Sequence, residues 1–141
     1  MAQESRALSE MRQIQNAIAL YRVNNRDYSA DATHGLPDQI AEWVQMDATT
    51  PVAPFRNSYY DWNVWESSDG RMVYQLSIRF CDPGATNVSQ CSFPRLDWAE
   101  NFTVDSSFFY CFDGPCQAHR NRAPNHPGYC FNCDCQQMEA C

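Results

Sequence analysis

Lysine is missing from this chain: all ten basic residues are arginine, spread from Arg6 to Arg122, and the formal net charge is −7. Without lysine there is no P-loop lysine, no Schiff-base nucleophile and no lysine-based covalent link between surface proteins. The scattered arginines form no cluster of the kind that neutralises phosphates, which argues against direct nucleic-acid binding. Nothing approaches the roughly 20 apolar residues of a membrane span, and the opening Met1-Ala2-Gln3-Glu4 is polar, unlike a signal peptide. Cysteine is absent from the first 80 residues, and all eight cysteines fall between Cys81 and Cys141.

What is present suits a single folded domain. A length of 141 residues with 44% hydrophobic and 13% aromatic residues can bury a sizeable core. The even, dense cysteine set points to an oxidising compartment, where disulfides restrain a loop-rich C-terminal half. Export is therefore expected, with an upstream segment removed.

From Ser5 to Val23 the apolar residues Leu8, Met11, Ile14, Ile18 and Tyr21 recur at steps of three or four, with Arg6, Glu10, Arg12, Gln13 and Asn16 between them. That spacing predicts an amphipathic helix. Asn24-Asn25 supplies a left-handed stop, and a turn follows at Asp27 to Gly35. Leu36, Ile40, Trp43 and Val44 then predict a short second helix, with Pro37 in its first turn and Asp38 near its positive end.

Period-two alternation predicts strands at Ser58 to Trp65 and Met72 to Phe80, joined by the turn Ser67 to Gly70, and the β-favouring aromatic run Ser106 to Phe112 predicts a third. Cys81 and Cys91 bound the intervening loop closely enough to pair with each other. The tail from Gly114 is rich in Pro, Asn and Cys and is expected to be irregular and stapled to the sheet. Eight cysteines allow 105 pairings; the local closures Cys81 with Cys91 and Cys111 with Cys116 are expected, leaving Cys130, Cys133, Cys135 and Cys141 to pair among themselves. The domain thus divides into an N-terminal helix over 1–25, a sheet with a cysteine-closed loop over 57–112, and a cysteine-rich tail over 113–141. The fold class is α+β, a roll with the long helix laid on one face of an antiparallel sheet.

The run from Ala2 through Leu20-Tyr21, continuing as Val23, Asn24, Asn25, Arg26, Asp27 and Tyr28, resembles the second half of the N-terminal helix of type IV pilins and pseudopilins. Gly35-Leu36 resembles the family's entry to a short helix, and Pro51 through Asn57-Ser58-Tyr59-Tyr60 its approach to the first strand. Ser29 stands where that family usually has proline, and the family's hydrophobic N-terminal half is absent. The resemblance covers roughly residues 2 to 80. It implies a soluble, outward-facing head of an extracellular filament subunit, with membrane attachment only through the absent segment. Its partners would be other pilin subunits, with a host or surface receptor as a further class of partner. The implied subunit contacts are Arg6, Leu8, Glu10, Met11 and Arg12, with Leu8 and Met11 (and Ile14) also continuing onto the sheet.

Other readings stay open beside this one. A secreted adhesin or tip-type minor subunit would use the cysteine-rich tail to bind a surface. A zinc module would draw on Cys111, Cys116, Cys130, Cys133, Cys135 and Cys141 with His119 and His126, although only one tight cysteine hook exists. No cofactor and no catalytic residue is expected: His34, His119 and His126 stand apart from any nucleophile pattern. Asp105 and Asp113 are read as solvated charge, because no regular calcium loop surrounds them. Asn87-Val88-Ser89 and Asn101-Phe102-Thr103 match the short N-glycosylation acceptor pattern, which arises often by chance. Phe108, Phe109, Tyr110 and Phe112 cannot share one face of a strand, so the tail or a partner is expected to cover some of them.

Overall fold

In the computed structural model, which describes residues 2–28, 35–66, 70, 72–81, 84–93, 102, 104, 106–112 and 128–130, the chain forms α1 (Ala2–Asn25) and α2 (Asp38–Val44), then strands β1 (Tyr59–Glu66) and β2 (Met72–Arg79). A 3-10 turn (Val88–Gln90) precedes β3 (Ser107–Phe112) and β4 (Gly128–Cys130). The sheet order is β1-β2-β3-β4. The first three strands are antiparallel, with Trp62 opposite Leu76 and Ile78 opposite Phe108, while β4 joins β3 in parallel. The expected α+β architecture of a long N-terminal helix with an antiparallel sheet is present.

The core lies between α1 and the sheet. Ala7, Met11, Ile14, Ala17 and Ile18 form the buried stripe of α1, and Tyr60, Trp62, Leu76, Ile78, Phe80 and Phe108 meet it in one cluster. Alternation explains the sheet contribution, since every second residue of a strand shares a face. The helical stripe differs slightly from the expected one. Leu8 is half-buried at one margin and Ala17 lies at the other, while Ala7, too small to register as an anchor, is fully buried within it.

Two helix boundaries also differ. The helix runs through Asn25, whose side-chain amide donates to the Tyr21 carbonyl at 2.9 Å, and the left-handed residue is Arg26, at φ 64°. Asn25 thus serves the helix end by capping a free carbonyl rather than by breaking the helix. Helix α2 begins after Pro37 and ends at Gln45, at φ 58°, whose N–H turns back to Ala41 and Glu42. Trp43, expected within the apolar repeat of α2, remains 40% exposed, whereas Leu36, Ile40 and Ala41 are buried.

The outer edge of β1 is covered by chain. Trp62 N–H donates to the Gly35 carbonyl at 2.9 Å and Tyr60 N–H to the Pro51 carbonyl at 2.8 Å, so this edge is not left open to pair with another strand. Gly35 has φ +82°, and a Cβ there would collide with the Ala48 carbonyl oxygen. Only glycine fits so close a crossing. Its own N–H donates to the Asp61 carboxylate at 3.1 Å, and Asp61 in turn pairs with Arg79 at 3.3 Å.

The face of the sheet turned from α1 is also buried, and it is polar: Asp61, Asn63, Gln75, Ser77 and Ser107 each keep less than a tenth of their surface. Asn63 donates to Ser77 at 3.1 Å, and Ser77 to the Asp61 carbonyl at 3.4 Å. Such pairing offsets the cost of taking polar groups out of water. Strand β4 corrects the expectation of a wholly irregular tail. Three residues are too few to show a period, and main-chain bonding to the edge of β3 requires none.

Candidate functional site

A 24-residue helix with one face committed to the sheet leaves its opposite face as the principal candidate surface. Arg6 is exposed, with its side chain 70% accessible, and lies 3.5 Å from Glu10 one turn later. Glu10 is drawn inward, because the Tyr60 hydroxyl donates to its carboxylate at 2.8 Å. Burial first, and then this carboxylate, hold the Tyr60 phenol far above its ordinary range. Glu10 therefore links helix to strand and is not purely a surface charge.

The five residues read as subunit contacts divide accordingly. Arg6 and Arg12 are exposed, Leu8 is half-buried, Glu10 is bridged to Tyr60, and Met11 has no accessible surface. Met11 belongs to the core and cannot touch a neighbour without unfolding; its inclusion as a contact is corrected.

Beyond them lies a surface that the periodic reading passed over. Gln13, Asn16, Ala17 and Leu20 of α1 face Trp43, Val44 and Gln45 at the end of α2 across an open groove of about 530 Å³. Leu20 and Trp43 are 49% and 40% exposed, and Val23, farther along α1, is 75% exposed. A signal for them was present. At 100° per residue, Leu20 and Val23 lie well away from the Met11–Ile14–Ile18 stripe, as apolar residues with no core to serve. Asp47, just past the groove, is held below the ordinary carboxylate range, first by the Thr49 hydroxyl and then by the N–H groups of Thr50 and Thr49.

At the other end, α1 is fastened by Tyr28. Its ring lies 4.1 Å from that of Tyr74 and 6.1 Å from that of Trp62, with the Arg22 guanidinium 4.5 Å over its face. Arg22 also donates to the Tyr28 hydroxyl at 3.0 Å. This contact fixes where the chain leaves the helix.

The second candidate feature is the loop after β2. Cys81 and Cys91 form the expected disulfide, with their backbones bridged in antiparallel fashion and Ser92 N–H bonded to the Phe80 carbonyl at 2.9 Å. Phe80, Phe93 and Phe102 carry the loop's return onto the core by edge-to-face contacts of 5.7 and 5.3 Å. Both sulfurs are consumed and are unavailable as metal ligands.

Cys111 lies in β3 and Cys130 in β4, but their side chains, and Cys116, Cys133, Cys135 and Cys141 altogether, lie outside the described residues. So do His34, His119, His126, Asp105, Asp113, Asn101 and Thr103, and with them the pairing of the tail cysteines and the zinc alternative. Among the described residues no group of three or more His, Cys, Asp or Glu side chains could hold a metal, and no helix is long and apolar enough to cross a membrane. Phe108 is buried in the core, and the register sets Tyr110 and Phe112 opposite Leu76 and Tyr74 while Phe109 falls opposite Ser77.

No family model, curated protein or solved structure matches the chain.

Proposed function

We propose that this chain is the head domain of a subunit of an extracellular type IV pilus or related filament, polymerising through its N-terminal helix and serving attachment or motility. It turns over no substrate in this role; its activity is assembly with other pilin subunits. The observation that carries the reading is α1 itself. One face of this uninterrupted N-terminal helix is packed on an antiparallel sheet, and the other presents Arg6, Arg12, Leu20 and Val23 outward. Exposed Leu20 and Val23 on this face fit a helix that packs against neighbouring subunits.

The Cys81–Cys91 disulfide supports the extracellular setting, because such bonds persist where thiols are not kept reduced. In the proposed filament an apolar half-helix upstream anchors the subunit in the membrane and then enters the filament core. The head rides outside.

The test is made on surface filaments sheared from cells that produce the protein. Filament preparations should contain this chain, and its coding sequence should open with a short basic leader followed by about 20 apolar residues. Filaments that lack the chain, from cells that nonetheless secrete it as a soluble monomer, would overturn the filament reading and favour a secreted binding domain.

A further inference from the structure

The loop closed by Cys81 and Cys91 carries a feature that assembly leaves unused. Thr86, Asn87, Val88, Ser89 and Gln90 are all exposed, with Val88 at 50%. Within them, Asn87-Val88-Ser89 places a side-chain amide two residues before a hydroxyl with no proline between.

The local geometry orients that amide. Asn87 Oδ1 accepts the Ser89 N–H at 3.1 Å and the Ser89 Oγ–H as well, so the oxygen end of the planar amide is turned to the chain. Nδ2, at the opposite end, projects away from those contacts on an exposed residue. Gln90 holds the turn from the other side, its Oε1 accepting from Thr86 N–H at 2.8 Å and Asn87 N–H at 3.3 Å. The disulfide and the return of Ser92 to Phe80 fix the base of the loop, so this turn stands clear of the core.

We propose that Asn87 is an N-glycosylation acceptor. The donor class is an oligosaccharide linked to a lipid through pyrophosphate, encountered in the compartment where the disulfide forms. The Asn87 Nδ2–C1 bond forms as the C1–O bond to pyrophosphate breaks; the lipid pyrophosphate leaves, and one amide proton passes to a base of the transferase. Ser89 contributes the hydroxyl that the transferase recognises and that engages the Asn87 oxygen. The inference depends on export, not on filament assembly.

Capping alone does not require this pair of residues. An aspartate serves as well as asparagine at an N-cap, and the backbone N–H of Ser89 suffices as donor without its hydroxyl. The two roles therefore separate by substitution.

The experiment uses the full chain recovered from the surface of cells that make it. Trypsin cleavage after Arg79 and Arg95 isolates Asn87 from Asn101. After reduction, mass spectrometry should find the 80–95 peptide carrying hexosamine-containing glycan. Peptide-N-glycosidase in heavy-oxygen water should convert Asn87 to labelled aspartate. Asn87→Asp and Ser89→Ala should each abolish the glycopeptide while the Cys81–Cys91 disulfide still forms, and Ser89→Thr should retain it. An unmodified 80–95 peptide in the oxidised, surface-exposed chain would overturn the proposal, as would glycan confined to Asn101.

Discussion

At the scale of single residues, the hydrogen bond from Tyr60 to Glu10 is the most informative contact, because it joins helix to sheet across a sequence separation of 50 and couples folding to pH. A buried phenol that donates to a carboxylate resists ionisation, and its folded value lies well above the ordinary 10. Below pH about 10 both folded and unfolded chains hold the proton, and the contribution to stability is complete. Above it the unfolded chain ionises while the folded one does not, so stability should fall by about 1.4 kcal/mol per pH unit. Tyr60→Phe should cost about 1–2 kcal/mol at neutral pH through the lost charge-assisted bond. It should also flatten the alkaline limb of urea-unfolding free energy against pH. An unchanged alkaline slope in the variant would place the titration on another group.

Gly35 illustrates what residue-level reading of the sequence does and does not reach. Its place at the end of a turn was legible, since glycine before an apolar periodic run is a boundary signal. Its deeper reason was not, because the Ala48 carbonyl that excludes a side chain arrives from 13 residues later and the Trp62 N–H from 27 residues later. Asp61 is similar. It alternates with the apolar residues of β1 as a solvent-facing carboxylate would, yet it is buried between Gly35 and Arg79.

At the scale of elements, the period of each hydrophobic pattern foretold α1, β1 and β2 within a few residues, because each has one face turned to the same core, and a β-favouring aromatic run foretold β3. Where a single-sided pattern was not the governing constraint, the reading failed. β4 is held by main-chain bonds to β3 over only three residues, and the polar face of the sheet is buried although alternation marked it as the non-core side. Trp43 was drawn into the apolar set of α2 by its spacing from Leu36 and Ile40, but it lies on the flank of that ridge and opens into the groove. Of the candidate contact residues, Met11 was misassigned for the same reason in reverse, since an apolar stripe does not reveal whether core or neighbour covers it.

The cysteine-closed loop is an element with its own energetics. Its disulfide joins residues separated by 10 and, on loop-closure entropy, stabilises the fold by roughly 2.5–3 kcal/mol. Replacing Cys81 and Cys91 together by serine should lower unfolding free energy by about that amount. Amide exchange should accelerate first at Val88–Gln90 and Ser92 and least in α1, where Met11, Ile14 and Ile18 are fully buried. Equal loss of protection in α1 and in the loop would show that the loop and the helix-on-sheet core open as one unit.

For the whole molecule, the core and the proposed assembly surface divide α1 between them, and this division can be tested without disturbing the fold. Leu20 and Val23 are exposed, and glutamine is nearly as good a helix former as leucine and better than valine. Leu20→Gln with Val23→Gln should therefore change unfolding free energy by no more than about 0.5 kcal/mol, since most of the replaced surface already faces water. If neighbouring subunits bury this face, the loss of apolar area falls on assembly alone, and the variant should be secreted and folded but depleted from sheared filaments. Met11→Gln should do the reverse: it puts an unpaired amide into the core and lowers stability by several kcal/mol, with any loss from filaments following from unfolding. Normal incorporation of the folded Leu20/Val23 variant would mean that the exposed face of α1 stays in water within the filament. The contacts of the head would then have to come from the sheet side of the domain.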